Sequence, residues 1–219
     1  MPSSSVNPHA IVGLRGPFMS LADDPFITGD DAAVRYEPDG LIIIENGLIK
    51  AVGDYTALKG QVAPDHITHY PNALILPGLI DCHVHYPQTQ IIGAYGAQLI
   101  DWLNEYTFVA EQQFANADYA RAVSRVFLDE CLRAGTTTSA VYGTVHASSV
   151  DAFFEVAHEY GMRMIAGKVL MDRNAPAALT DTAQSGYDDS LALIQRWHGK
   201  GRLHYAVTPR FAPTSTPAQ

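Results

Sequence analysis

From Asp118 onward the chain alternates helical and β-branched segments, a pattern that leaves few architectures open. Asp118 can cap a helix in which Val123, Val126, Phe127, Cys131 and Ala134 recur at helical spacing, and Gly135 ends it before a strand, Thr136 to Tyr142. Ser148 or Ser149 can cap a second helix carrying Phe153, Val156, Ala157 and Tyr160, stopped by Gly161 before a strand from Met162 to Leu170. A third helix, with Tyr187, Leu191, Ile194 and Trp197 in register, ends in Gly199-Lys200-Gly201 before a strand from Leu203 to Thr208. Strands joined through helices run parallel, because the helix carries the chain back to the end from which the next strand starts.

A fourth strand precedes these three. Leu74 to Ile80 is an apolar run punctuated by Pro77-Gly78, and it closes on Asp81-Cys82-His83-Val84-His85. It reads as a buried strand ending in two histidines one residue apart. Side chains alternate along a strand, so His83 and His85 share a face. Two imidazoles with backbone-fixed spacing suit a first-row metal ion. An isolated His-x-His also fits two satisfied core histidines; its place between an apolar strand and a polar, aromatic segment favours metal binding.

That segment, Ile91 to Phe114, is rich in aromatic and polar residues, with a helix expected around Ala97 to Tyr106. An insertion directly after a ligand strand is where a lid would sit, although Trp102 and Tyr106, one turn apart, read as core.

Before the histidine strand the pattern is all-β. Residues 1 to about 9 are Ser- and Pro-containing and expected to be loose, and Ala10 to Leu14 is a short strand candidate. A Gly/Pro/Asp-rich excursion spans Arg15 to Gly40. In LIIIENGLIKAVG, Asn46-Gly47 between apolar runs marks a tight hairpin, since both residues tolerate positive φ. Leu41 to Ile44 is apolar on both faces, as in a strand between two layers. Ile67 to Tyr70 and Ala73 to Leu76 add short strands. The expected division is a small β-sandwich-like domain over residues 1–76 and a metal-dependent α/β barrel over 77–219.

With four parallel strands in sight and about 250 residues needed for a full (β/α)8, TIM-type barrel, the chain is expected to be the N-terminal half of a longer enzyme. A parallel edge left open after the fourth strand would be an aggregation liability.

Composition narrows the chemistry. Fourteen Lys+Arg against 23 Asp+Glu give a net charge of -9, and the absence of a basic patch disfavours nucleic acid. A small or neutral substrate fits better. No stretch approaches the length of a membrane span, and MPSSSVNPHAIVG lacks the basic start and apolar core of a secretory signal. Two cysteines without a CxxC pattern argue for a reducing, cytoplasmic setting and against thiolate-bound zinc.

Taken in order, PGLIDCHVHYPQ, GAYGAQLIDWLNEYTF, AGTTTSAVYGTVH, GKVLMDRNAP and VTPRFAPTST resemble the successive blocks of guanine deaminases of the amidohydrolase superfamily. The first block alone identifies only the superfamily; the GAYG-DWL-YTF and TPRF blocks narrow it. The resemblance covers the chain from about residue 10. It implies one zinc ion, a homodimer, a place in purine catabolism, and hydrolytic removal of the 2-amino group of guanine to give xanthine and ammonia. Residue by residue, it implies that His83 and His85 are zinc ligands, and that Gln88, Arg210 and Phe211 contact the purine. Two further histidines, an aspartate and the proton-shuttling carboxylates would lie beyond Gln219, so no catalytic acid or base is identified within the span. His146, His158, His198 and His204 do not substitute for the missing ligands.

The residue chemistry agrees with these assignments. Gln88 offers both a donor and an acceptor to a heterocycle edge. Arg210 has paired donors suited to the carbonyl and ring-nitrogen acceptors of guanine, and Phe211 supplies an apolar face. The bland alternatives are a solvated glutamine, a surface arginine and a core phenylalanine. Two ligands alone should hold zinc weakly; a polypeptide ending at Gln219 is expected to be inactive and aggregation-prone.

Three rivals differ in checkable ways. Another amidohydrolase acting on cytosine, triazines or hydantoins would share the fold. Two-metal members carry a carboxylated lysine at the end of the fourth strand, where Leu203 to Pro213 has none, while Lys168 falls in the third. A non-catalytic half-barrel needs an end-cap, and none is evident. The other zinc deaminase scaffold needs a PCxxC motif, which is absent.

Overall fold

The structure, a computed structural model, describes residues 11–219. The expectations for residues 1 to 9, and for Ala10 as a strand residue, lie outside the described residues. The chain divides into two compact units, Met1–Pro77 and Gly78–Gln219.

The first unit contains β1 (Val12–Leu21), α1 (Pro25–Thr28), α2 (Asp30–Ala33), β2 (Val34–Glu45), β3 (Leu48–Asp54), α3 (Tyr55–Leu58) and β4 (Ile67–His69). They build one sheet in the order β3-β2-β1-β4, with β4 parallel to β1. Asn46 and Gly47 form the two-residue loop between β2 and β3 at φ of 54° and 75°, which leaves Glu45 paired with Leu48. The expected Arg15–Gly40 excursion is instead most of a long hairpin. β1 and β2 stay paired from Val12 with Ile44 to Leu21 with Val34, and two short helices cross the tip. The Gly, Pro and Asp that read as loop have local tasks here. The register shifts at Gly16/Phe18, around Pro17, which has no N–H for the ladder. A Cβ at Gly40 would collide with the Phe18 ring. Asp39 accepts two bonds from Arg15, at 2.7 and 2.8 Å.

Leu41, Ile43 and Val62 form this unit's buried cluster, with Tyr55 and Leu58 of α3 packed against it. A single sheet covered by a short helix and turns thus stands where two facing layers were expected. Ala73 to Leu76 contributes one bridge, Ile75 with Phe18, rather than a strand.

The second unit contains β5 (Leu79–His85), α4 (Leu99–Trp102), α5 (Phe108–Gln112), α6 (Ala117–Arg133), β6 (Thr136–Tyr142), α7 (Ala147–Tyr160), β7 (Arg163–Gly167), β8 (Val169–Leu170), α8 (Ala183–Trp197), β9 (His204–Tyr205) and β10 (Thr208–Pro209). β5, β6, β7 and β9 form a parallel sheet in that order, and β8 pairs in parallel with β10. Strands neighbouring in chain order, each reached through helix, are the opening half of a (β/α)8 barrel rather than a doubly wound sheet, whose order reverses at a switch point. The core joins Tyr86, Phe114, Phe127, Phe153, Phe154 and Trp197 with Val141, Met164 and Ala166 of the sheet.

Several boundaries differ from the expectations for physical reasons. Asn116, not Asp118, caps α6, its side chain accepting from the N–H groups of Asp118 and Tyr119. His146 holds the cap position of α7; Ser149 lies inside the first turn, where its hydroxyl is buried and donates to the His146 carbonyl. α8 starts from a capping box between Thr182 and Ser185. The helix around Ala97 to Tyr106 begins at Leu99 and continues through a π-helical turn, Leu103–Thr107, into α5. Val126, Tyr187 and Leu191, read as core-facing, are exposed; α8 buries Trp197 as expected, and with it Gly186, Ser190 and Leu193. The Met162 to Leu170 strand breaks at Lys168, and Leu203 to Thr208 breaks between β9 and β10.

The histidine strand departs most from its reading. Leu79 and Ile80 are 56% and 69% exposed, because β5 is an edge strand among the described residues and has only β6 beside it. No helix among the described residues is long and apolar enough to cross a membrane.

Candidate metal and ligand site

The site gathers where β5 and β6 end and where the chain leaves β10. Strand alternation puts the His83 and His85 rings on one side, with centroids 5.3 Å apart. Tyr142, the β6 residue paired with His85, stacks on the His85 ring at 4.4 Å and 12°, and its centroid is 5.1 Å from that of His83. His83 is exposed and His85 half-buried. Burial, then the nearby Arg210 charge, then His83, push the His85 imidazole down to about 4. It is therefore neutral at pH 7, the form that ligates metals. Its Nδ1 is buried with no hydrogen-bond partner.

Both histidines line a cleft of about 770 Å³, together with Gln88, Arg210 and Phe211. The five residues expected to form a site thus share one concavity. Gln88 sits on the 3-10 turn Tyr86–Ile91 that follows β5. Ile92, Leu99, Trp102 and Leu103, from the segment after that turn, line the cleft too. Trp102, read as core, therefore has a second role; its indole N–H donates to the Ala94 carbonyl at 3.1 Å, which fixes the ring against the cleft wall.

Arg210 is not a surface arginine. Its Nη1 donates to Glu111 Oε2 at 2.6 Å, with side-chain exposures of 4% and 0%. The Phe108 ring lies 5.5 Å from its Cζ. Burial pushes the Glu111 carboxyl up, while the charge and hydrogen bond of Arg210, and then the neighbouring Gln88 amide, pull it back. Glu111 had no signal in the sequence, where it stands in the polar run Glu-Gln-Gln of an insertion and reads as a solvated face.

The set is incomplete as a metal centre. Among the described residues no group of three or more His, Cys, Asp or Glu side chains is arranged to hold an ion. The donor chemistry still fits a partial zinc set: two neutral-capable imidazoles on one face, one with an unpartnered buried nitrogen. The other histidines do not join it. His146 has a buried, unpartnered Nε2 but does not line the cleft. His198 accepts from the Tyr205 N–H at 3.2 Å and packs edge-on against His204. Lys168 is buried between β7 and β8 and paired with Asp181, so the third-strand lysine is engaged in an ion pair.

Comparison with known proteins adds the wider context. The Amidohydrolase family model matches residues 74–219. A guanine deaminase of Escherichia coli (strain K12) is 49% identical over 216 residues, which is 96% of this chain and 48% of that protein. The solved structure of E. coli guanine deaminase superposes with a TM-score of 0.91, over 95% of this chain and 49% of that one, at 48% identity. The guanine deaminase of C. acetobutylicum, solved with guanine bound in its active site, superposes with a TM-score of 0.82 at 27% identity, over 95% of this chain and 48% of that one. The chain spans about half the length of these relatives.

Proposed function

Because the chain belongs to the amidohydrolase family, we propose that the polypeptide it represents performs zinc-dependent hydrolytic deamination of guanine, yielding xanthine and ammonia. The observation that carries this reading is the shared cleft: two imidazoles on one face, with a glutamine, an arginine and a phenylalanine around the same space. Identity of 49% to a guanine deaminase over nearly the whole chain supports the same substrate.

His83 and His85 would hold the zinc ion together with ligands supplied from outside these residues. When bound, zinc supplies Lewis acidity that makes water a strong nucleophile near neutral pH. The remaining tasks belong to this chain's side chains. Arg210 directs its free N–H groups at the carbonyl and ring-nitrogen acceptors of the base. Gln88 matches a donor and an acceptor on the heterocycle edge, and Phe211 covers a ring face. Ile92, Leu99, Trp102 and Leu103 line the cleft with apolar surface that excludes water and strengthens these polar contacts. Two free thiols, Cys82 and Cys131, fit a reducing cytoplasmic compartment, and we extend the proposal to a homodimer in that compartment.

The test uses the full-length polypeptide, purified with its metal. Ammonia and xanthine released from guanine in equal amounts, with zinc bound and activity lost on chelation, is the expected result. Ammonia release from cytosine or an aminotriazine but not from guanine would overturn the substrate assignment and leave the family intact.

A further inference from the structure

Arg210 reaches the cleft from a short segment after β10, and nothing in that segment fixes its guanidinium. What holds it comes from the other side of the unit. α5 presents the Glu111 carboxylate at 2.6 Å from Nη1 and, one turn earlier, the Phe108 ring at 5.5 Å from Cζ. The guanidinium is thus held between a carboxylate and an aromatic face. Glu111 is fully buried, and its second oxygen, Oε1, is buried without a partner in the geometry recorded. Gln88, the other side chain expected on the base edge, lines the same cleft as Arg210. A buried carboxylate is costly unless compensated. One that is bonded to a side chain expected to read the base is well placed to set that side chain's orientation.

We propose that Glu111 is a positioning residue for purine selection: it anchors Arg210 through Nη1, so that the remaining guanidinium N–H groups point at the carbonyl at position 6 of the base. This rests on the reading of Arg210 as a base contact for guanine. With Nη1 committed to Glu111, the donors left for the ligand are Nε, Nη2 and the second Nη1 hydrogen. A free arginine could turn its fork to suit several ligands. An anchored one discriminates, because a ligand lacking the carbonyl leaves a buried, oriented donor without an acceptor.

The reporting ligand is 2-aminopurine, which keeps the 2-amino group of guanine but has no carbonyl at position 6. In the full-length, zinc-loaded protein, Glu111→Gln retains the shape of the side chain and removes the charge that anchors Arg210. The expected result is a drop of about 10-fold or more in the ratio of kcat/KM for guanine to kcat/KM for 2-aminopurine, carried mainly by KM for guanine. Zinc content stays unchanged. Glu111→Asp, which keeps the charge, recovers part of the ratio, and Phe108→Leu, which loosens the opposite side, lowers it by a smaller factor. A purely stabilising ion pair would instead lower activity on both ligands equally, and an unchanged ratio in Glu111→Gln overturns the proposal. If the wild-type protein releases no ammonia from guanine, the functional reading fails first. A crystal structure of Glu111→Gln then decides the positioning claim: a displaced Arg210 guanidinium supports it, and an unmoved one overturns it.

Discussion

Tyr86, the residue after His85, offers the most direct test of what holds the histidine strand in place. Its side chain is fully buried, its hydroxyl donates to the Ser149 carbonyl at 2.8 Å, and its ring stacks on Phe153 at 4.9 Å and meets Phe114 edge-on at 5.2 Å. Burial raises its phenol pKa, so it stays neutral. Tyr86→Phe removes one neutral hydrogen bond. Because the Ser149 carbonyl also sits in the first turn of α7, where the helical ladder gives it an N–H, the loss should be about 1 kcal/mol. Tyr86→Ala removes the ring as well and leaves a cavity between α6, α7 and the end of β5. Core Phe-to-Ala changes cost about 3–5 kcal/mol, so the total reaches roughly 4–6 kcal/mol, much of the usual margin of a folded domain. Denaturant unfolding of the full-length protein measures both, and zinc content measures the consequence for His83 and His85. Tyr86→Phe should keep its zinc; Tyr86→Ala should lose stability and zinc together. Two results would refute the reasoning: an alanine variant destabilised by less than about 2 kcal/mol, or a phenylalanine variant as impaired as the alanine one.

Other predictions follow from single contacts. Lys168→Met or Asp181→Leu alone strands a buried charge, side-chain exposures being 1% and 8%, and each should cost about 3–5 kcal/mol by denaturant unfolding; the double variant should recover part of that, and strictly additive losses would deny the coupling. Burial, and then the Asp81 charge, push the Cys131 thiol up, whereas Cys82 is exposed. Iodoacetamide at pH 8 should therefore label Cys82 well before Cys131 by mass spectrometry, and the opposite order would contradict the packing around α6. His83→Ala and His85→Ala should each lower zinc bound to the full-length protein at least tenfold in affinity, and full retention in either variant would remove that histidine from the ligand set.

The legible parts of the fold were those set by local pattern. The Asn46-Gly47 hairpin and the glycine stops at Gly135 and Gly161 depend on backbone freedom that few residues have, and Gly135 and Gly161 adopt φ of 80° and 65°. Helix caps were harder because several polar residues stand in a row. Asn116 and Asp118 can both cap, and only the extended backbone at Asn116 selects it. The phase of an apolar face misled where the face lacks a neighbour: Tyr187 and Leu191 are in register but exposed, so periodicity recorded a surface that the described residues do not bury. The burial of β5 was misread for the same reason, since an apolar run does not say how many strands lie beside it. Of the residues that line the cleft, His83 and His85 are marked in the sequence by one short motif, and Gln88, Arg210 and Phe211 by the resemblance. Glu111 was illegible because its partner lies 99 positions away.

That contrast bears on how the site is built. Among the described residues β5 has one neighbour, and Leu79 and Ile80 are exposed, so burial within this span does not stiffen the start of the strand that carries His83 and His85. Among the described residues the side-chain packing that supports it lies at its C-terminal end, where Tyr142 stacks on His85 and Tyr86 is bonded into α7. Arg210, proposed to read the base, is supported by different elements, since it leans on Glu111 and Phe108 of α5. Two supports with no shared side chain imply separable defects. Tyr86→Ala should lower zinc content while leaving the guanine to 2-aminopurine ratio of the zinc-loaded fraction intact, and Glu111→Gln should do the reverse. Residues in one network fail together, whereas independent supports give additive effects, so a Tyr86→Phe, Glu111→Gln double variant should show the sum of the single effects on stability. A coupling above about 0.5 kcal/mol would mean that the two ends of the cleft are one unit after all.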